Sequence, residues 1–161
     1  KGEIPLTEYE KLLNSAKEAD ITVIEDYDFS DTRIKGLYCD GVVALDKRME
    51  TETEKKCILA EELGHHYTAV GNIVDQSSVS NRKQENRGRI LAYNRLIGLM
   101  GIINAHKHHC QSLSESAEYL EVTEDFLRDA ISYYKGKYGV SATIDNYVIF
   151  FEPRISVLEL V

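Results

Sequence analysis

The stretch Glu61-Glu62-Leu63-Gly64-His65 is where residue types and spacing in this chain point to chemistry. Glu61 and His65 are four apart, so a helix stacks them on one face with Cβ atoms about 6 Å apart. Two ligands so placed can hold one metal ion, which is the geometric reason a helical HExxH works. Glu62 lies one residue into the motif, where a general base would hydrogen-bond a water polarised by the cation. Zinc brings the pKa of such a water to roughly 7 and polarises a carbonyl as well. Glu62 and His66 are also four apart, but that frame puts the base position on Leu63, which cannot take a proton. The frame of Glu61 and His65 is the one that supplies a catalyst.

The first ligand position of an HExxH helix is histidine; here it is Glu61. Carboxylate is a legitimate zinc ligand. Two carboxylate ligands largely neutralise the ion, weaken its Lewis acidity and make harder ions more competitive. Zn2+ is the expected ion, with Mn2+ or another divalent ion as its competitor. A third protein ligand is then needed. Glu85, in the first turn of the next expected helix, is preferred to Asp75 in the intervening loop, because a helix fixes a ligand better than a loop does. The bland counterpart is that Glu61 and Glu62 form a solvated helix face and His65 is an ordinary surface histidine.

The elements that must position these residues are marked by their caps. Thr7 with Glu10, Thr51 with Glu54, Asn81 with Gln84 and Ser112 with Glu115 each pair a cap residue with an acid or amide three positions on. They predict helices over 8–18, 52–68, 82–99 and 113–120, and Thr123 predicts another over 124–136. The run from Leu96 to Ile103 reads as core helix. Ile21–Ile24 reads as a strand, and Gly36–Cys39 and Val42–Leu45 flank the hairpin signal Asp40-Gly41. Tyr147–Phe151 and Ile155–Leu158 predict a terminal strand pair. The order is helix, small sheet, helical bundle: an α+β chain. A division into a core over 1–100 and a helical extension over 101–161 is expected.

A net charge of −8 opposes binding to nucleic acid or to an anionic membrane surface. No apolar run approaches the roughly 18 residues of a membrane span, and no signal peptide is visible. Cys39, Cys57 and Cys110 are odd in number and far apart, which predicts buried free thiols and a reducing, cytoplasmic setting.

The segment Cys57–Thr68, followed by Lys83-Gln84-Glu85, resembles the ImmA/IrrE metallo-endopeptidases, in particular the subgroup of phages and mobile elements. The resemblance spans about residues 5–100, and Ala117–Thr123 with the helix after it is similar to that subgroup's C-terminal part. It implies a minimal zincin-like domain of gluzincin type, with a small twisted sheet packed on a helical bundle. It also implies metal ligands at Glu61, His65 and Glu85 and a catalytic glutamate at Glu62. The implied partner is a helix-turn-helix repressor that keeps a prophage or integrative element silent. The alternative from another class is a non-catalytic anti-repressor that binds and sequesters this partner.

Three further features remain. His106, His109 and Cys110 would share a face if one helix carried them, but the plainer reading is a polar helix end before Ser112. The helices over 113–120 and 124–136 have helix-turn-helix spacing. They carry Glu115, Glu118, Glu121, Glu124, Asp125 and Asp129 against Arg128, the reverse of a DNA reader's balance, so a protein-docking surface is expected. The basic run from Asn81 to Arg89 reads as a solvated helix side. A peptide substrate is expected to add as a strand along a sheet edge near 42–46.

Overall fold

The caps explain most of the helix starts. In this computed structural model, which describes residues 2–30, 32–69 and 78–161 (backbone alone for 69, 78–82 and 84), α1 spans Glu8–Glu18. The Thr7 hydroxyl accepts from the Glu10 backbone N–H at 3.1 Å, and the Glu10 carboxylate accepts from the Thr7 N–H at 2.8 Å. Tyr9, Leu12 and Ala16 recur at helical spacing and form the buried face of α1. α2 spans Glu52–Ala69; its Thr51 hydroxyl accepts from Glu54 N–H at 3.1 Å, while the Glu54 carboxylate turns to Lys35.

Asn81 does not cap a helix. α3 spans Ser78–Leu96, so Asn81 lies inside it and Glu85 sits about two turns in rather than in the first turn. The expected continuation to residue 99 also fails. Gly98 has φ of +64°, a left-handed conformation that interrupts the helix, and α4 (Gly98–Lys107) starts afresh.

The chain divides into two compact units, Lys1–Ala92 and Tyr93–Val161, with the boundary inside α3. In the first, β1 (Thr22–Tyr27), β2 (Gly36–Cys39) and β3 (Val42–Asp46) form a sheet of order β1-β3-β2. β2 and β3 are the hairpin marked by Asp40-Gly41, with Cys39 opposite Val42; β1 joins β3 in parallel, with Val23 opposite Val43. The strand near 42–46 is therefore the central one, hydrogen-bonded on both sides, and offers no edge to a peptide. The edge strand that packs against α2 is β2. Val43, Leu45, Leu59 and Leu63 lie in the core between sheet and helices, all at most 1% exposed.

At the end of β3, Asp46 is 1% exposed and gathers the loop before β2. It accepts from Arg48 N–H at 2.8 Å, Arg48 Nε at 2.6 Å and Phe29 N–H at 3.3 Å. Arg48 beside it holds the carboxyl down to about 2. A depressed carboxylate adds stability that is present above its ordinary pKa near 3.8 and is lost as pH falls through about 2. Asp46→Asn is accordingly expected to lower the melting temperature at neutral pH, and the gap from wild type should shrink between about pH 4 and pH 2. A gap independent of pH in that window would contradict the assignment.

The second unit holds α4, α5 (Leu113–Leu120) and α6 (Glu124–Tyr138). It also holds a meander of β4 (Ser141–Ile144), β5 (Tyr147–Phe150) and β6 (Ser156–Glu159). Three strands replace the expected pair, because the short β4 pairs antiparallel with β5 across Asp145-Asn146. Ser112 and Thr123 cap α5 and α6 as expected, accepting from Glu115 N–H and Phe126 N–H at 3.0 and 3.2 Å. Ile103, Leu127, Ala130, Tyr134 and Ile149 form the core. All three thiols are free, but only Cys57 is buried; Cys39 is exposed and Cys110 half-buried. No described helix is long and apolar enough to cross a membrane.

Candidate active site

Two glycines let α2 and α3 touch. A Cβ on Gly64 would collide with the Gly88 carbonyl oxygen and stand 2.8 Å from its carbon. A Cβ on Gly88 would stand 2.5 Å from His65 Nδ1 and 3.0 Å from His65 N. With no side chain at either position the helix backbones meet, and His65 lies against the turn of α3 that follows Glu85. On the other side of α2, Gly36 lets β2 approach: a Cβ there would clash with Ile58 and stand 3.2 Å from Glu62 Cγ.

Glu61, Glu62 and His65 are thus half-buried on α2 rather than a solvated face. Burial pushes the Glu62 carboxyl up from 4.5 to about 7. The Tyr38 backbone N–H on β2 donates to it and the charge of Arg89 pulls it down, while Glu61 and Glu85 push it further up. Burial lowers the pKa of His65, opposed by Glu85 and assisted by Arg89. His65 is therefore biased to the neutral imidazole, the form that ligates a metal. The charges of Glu85 and Arg89 reach both Glu62 and His65, so α3 contributes to the site although about twenty residues separate the pieces in sequence.

Glu85 is exposed and paired with Arg89, one turn on, at 2.7 Å. Among the described residues no three His, Cys, Asp or Glu side chains are gathered closely enough to hold an ion as they stand. Asp75 lies outside the described residues. By donor chemistry the set fits zinc or manganese: one neutral imidazole and one carboxylate on successive turns of α2, and a second carboxylate on α3. Closing that set requires the Glu85 carboxylate, one oxygen of which Arg89 holds, to move toward Glu61 and His65.

Tyr38, Gly36, Gly88 and Arg89 were not anticipated as parts of the site. Glycines inside helical patterns at 64 and 88 were the available signal, since such residues often mark a close backbone approach. His66 is not part of the donor set: its Nδ1 is 2.7 Å from the Tyr38 hydroxyl, and its ring packs edge-on against Tyr38 and Tyr67. The histidine cluster does not form a metal face either. α4 ends at Lys107, His108 caps it and stacks on Tyr119 at 4.5 Å, and His109 turns left-handed with φ of +64°.

The family model for the IrrE N-terminal-like domain, Peptidase M78, matches residues 16–132, well over half of the chain. The chain belongs to that family. No curated protein and no solved structure matches it significantly. Membership in the IrrE N-terminal-like family supports a metallopeptidase-like function, and the mixed α+β fold agrees with a small domain of this kind.

The lifted Glu62 carboxyl has a thermodynamic consequence in the metal-free protein. A group whose folded pKa is raised contributes stability at low pH that is lost as pH rises through about 7. Glu62→Gln is expected to match wild type near pH 4.5 and to exceed it at pH 8, by on the order of 2 kcal/mol. Chemical unfolding of chelator-treated protein at both pH values measures this; equal stability at pH 8 would show that the carboxyl is not desolvated.

Proposed function

We propose that this chain is a metal-dependent endopeptidase that acts on a helix-turn-helix repressor of a phage or mobile element. The observation that carries the reading is the packing around the motif: Glu61, Glu62 and His65 are half-buried on successive turns of α2, with β2 against Glu62 at Gly36 and α3 against His65 at Gly88. A carboxylate positioned beside the donor set is what general acid–base catalysis needs. Glu61, His65 and Glu85 would hold the ion, zinc or manganese. When bound, it would supply Lewis acidity toward a water and toward the scissile carbonyl. Glu62 takes the proton of the attacking water on its carboxylate and returns it to the departing amine.

The peptide would add along the outer edge of β2, which meets α2 at Glu62. The repressor as target is supported by the family resemblance and by charge. A net −8, with Glu115, Glu118, Glu121, Glu124, Asp125 and Asp129 all exposed on α5, α6 and the turn between them, complements a basic DNA-binding protein.

The pairing of Glu85 with Arg89 favours one rival, an anti-repressor that binds without cutting. Calorimetric titration of Zn2+ and Mn2+ into the purified chain, followed by incubation with the cognate repressor, separates the two. The enzyme reading expects one site per chain, weakened at least about tenfold in His65→Ala, and repressor fragments that require the ion. A stable complex without fragments, or metal binding indifferent to His65→Ala, would replace it with the rival.

A further inference from the structure

The second unit contains a pocket lined by none of the residues of the candidate site. α4, α5, α6 and the segment entering β6 line an open cavity of about 340 Å³. This lies at the lower end of the range for small-molecule sites, about 300–1,000 Å³. Its apolar surface comes from Ile102, Leu120, Leu127, Ile131 and Val157. Its polar surface is one-sided. Arg128, Arg154 and His106 line it, together with uncharged Gln111, Ser112 and Ser116, and among the described residues no aspartate or glutamate does. In a chain with 27 acids against 19 Lys and Arg, a cavity lined by two arginines and, among the described residues, no carboxylate departs from the overall charge balance.

The two arginines are not equivalent. Arg128 is engaged by Asp125 at 2.7 Å. Arg154 has no ion-pair partner among the described residues. A planar guanidinium of this kind suits a carboxylate, which it can meet with two parallel hydrogen bonds.

We propose that this pocket binds a small amphipathic anion: an aliphatic chain seated among Ile102, Leu127 and Ile131, with a carboxylate head on Arg154. Apolar burial supplies affinity and the guanidinium supplies selectivity for the anion. Bound ligand stabilises the folded chain by mass action, so its melting temperature rises with concentration.

Calorimetric titration of the full chain with octanoate, octan-1-ol and inorganic phosphate tests this. Octanoate is expected to bind about tenfold more tightly than octanol, the effect of one charge-assisted hydrogen-bonded head, and phosphate not measurably. Arg154→Gln should bring octanoate to the level of octanol and leave octanol unchanged. Ile131→Trp should fill the cavity and abolish both; Ser116→Phe fills it from α5 and serves if Ile131→Trp fails to fold. Equal affinities for octanoate and octanol, phosphate binding as well as octanoate, or octanoate binding unchanged in the folded cavity-filling variant would each overturn the proposal.

Discussion

Glu62→Gln is expected to slow cleavage of the repressor by about 10²- to 10⁴-fold while leaving the complex with the repressor intact. The substitution conserves size, which matters because β2 packs directly on Glu62 at Gly36. The amide oxygen can still accept from Tyr38 N–H, so the side chain keeps its anchor. What is lost is the capacity to take a proton. Unfolding of the variant under the assay conditions, measured alongside, separates loss of the base from loss of the fold. Single-turnover cleavage followed by gel, with affinity measured separately, checks the result. Cleavage by Glu62→Gln at the wild-type rate would remove Glu62 from the role of base.

Gly64→Ala is expected to destabilise the fold more than Gly88→Ala, which damages the site. The Gly64 methyl would run into the backbone carbonyl of Gly88, which cannot rotate away inside α3. The helices must separate, at a cost of about 1–3 kcal/mol that outweighs the gain of about 1 kcal/mol in helix propensity. The Gly88 methyl meets the imidazole of His65 most closely, at 2.5 Å from Nδ1, and the His65 backbone nitrogen at 3.0 Å, which asks for a backbone shift of a few tenths of an ångström. A side chain can turn, so most of the cost falls on its orientation. The melting temperature of Gly88→Ala should therefore drop less than that of Gly64→Ala, while metal affinity falls about tenfold or more. If Gly88→Ala binds zinc as wild type does, His65 is not a ligand held by this contact.

Much of the local structure was legible because its causes lie within a few residues. Thr7, Thr51, Ser112 and Thr123 each cap the helix they announce, and Asp40-Gly41 turns the hairpin it signals. Asn81 misled for a related reason: a side chain suited to capping says nothing about whether preceding residues continue the helix, and Ser78–Ser80 do. β4 lacked a marked run and exists because β5 offers it a partner. The central place of β3 was hidden too, since the parallel addition of β1 is a long-range pairing.

The sequence by itself determined that Glu61, Glu62 and His65 share successive turns of one helix, because that follows from 3.6 residues per turn. It also determined the acidic balance that disfavours nucleic acid. The tertiary structure decided which of these side chains is buried, and burial is what raises Glu62 and lowers His65. It decided as well that Gly36, Gly64 and Gly88 admit β2 and α3 to the motif, and that the charges of Glu85 and Arg89 act on Glu62 and His65. Desolvation and close approach belong to surfaces meeting from distant parts of the chain, and no spacing within one helix encodes them.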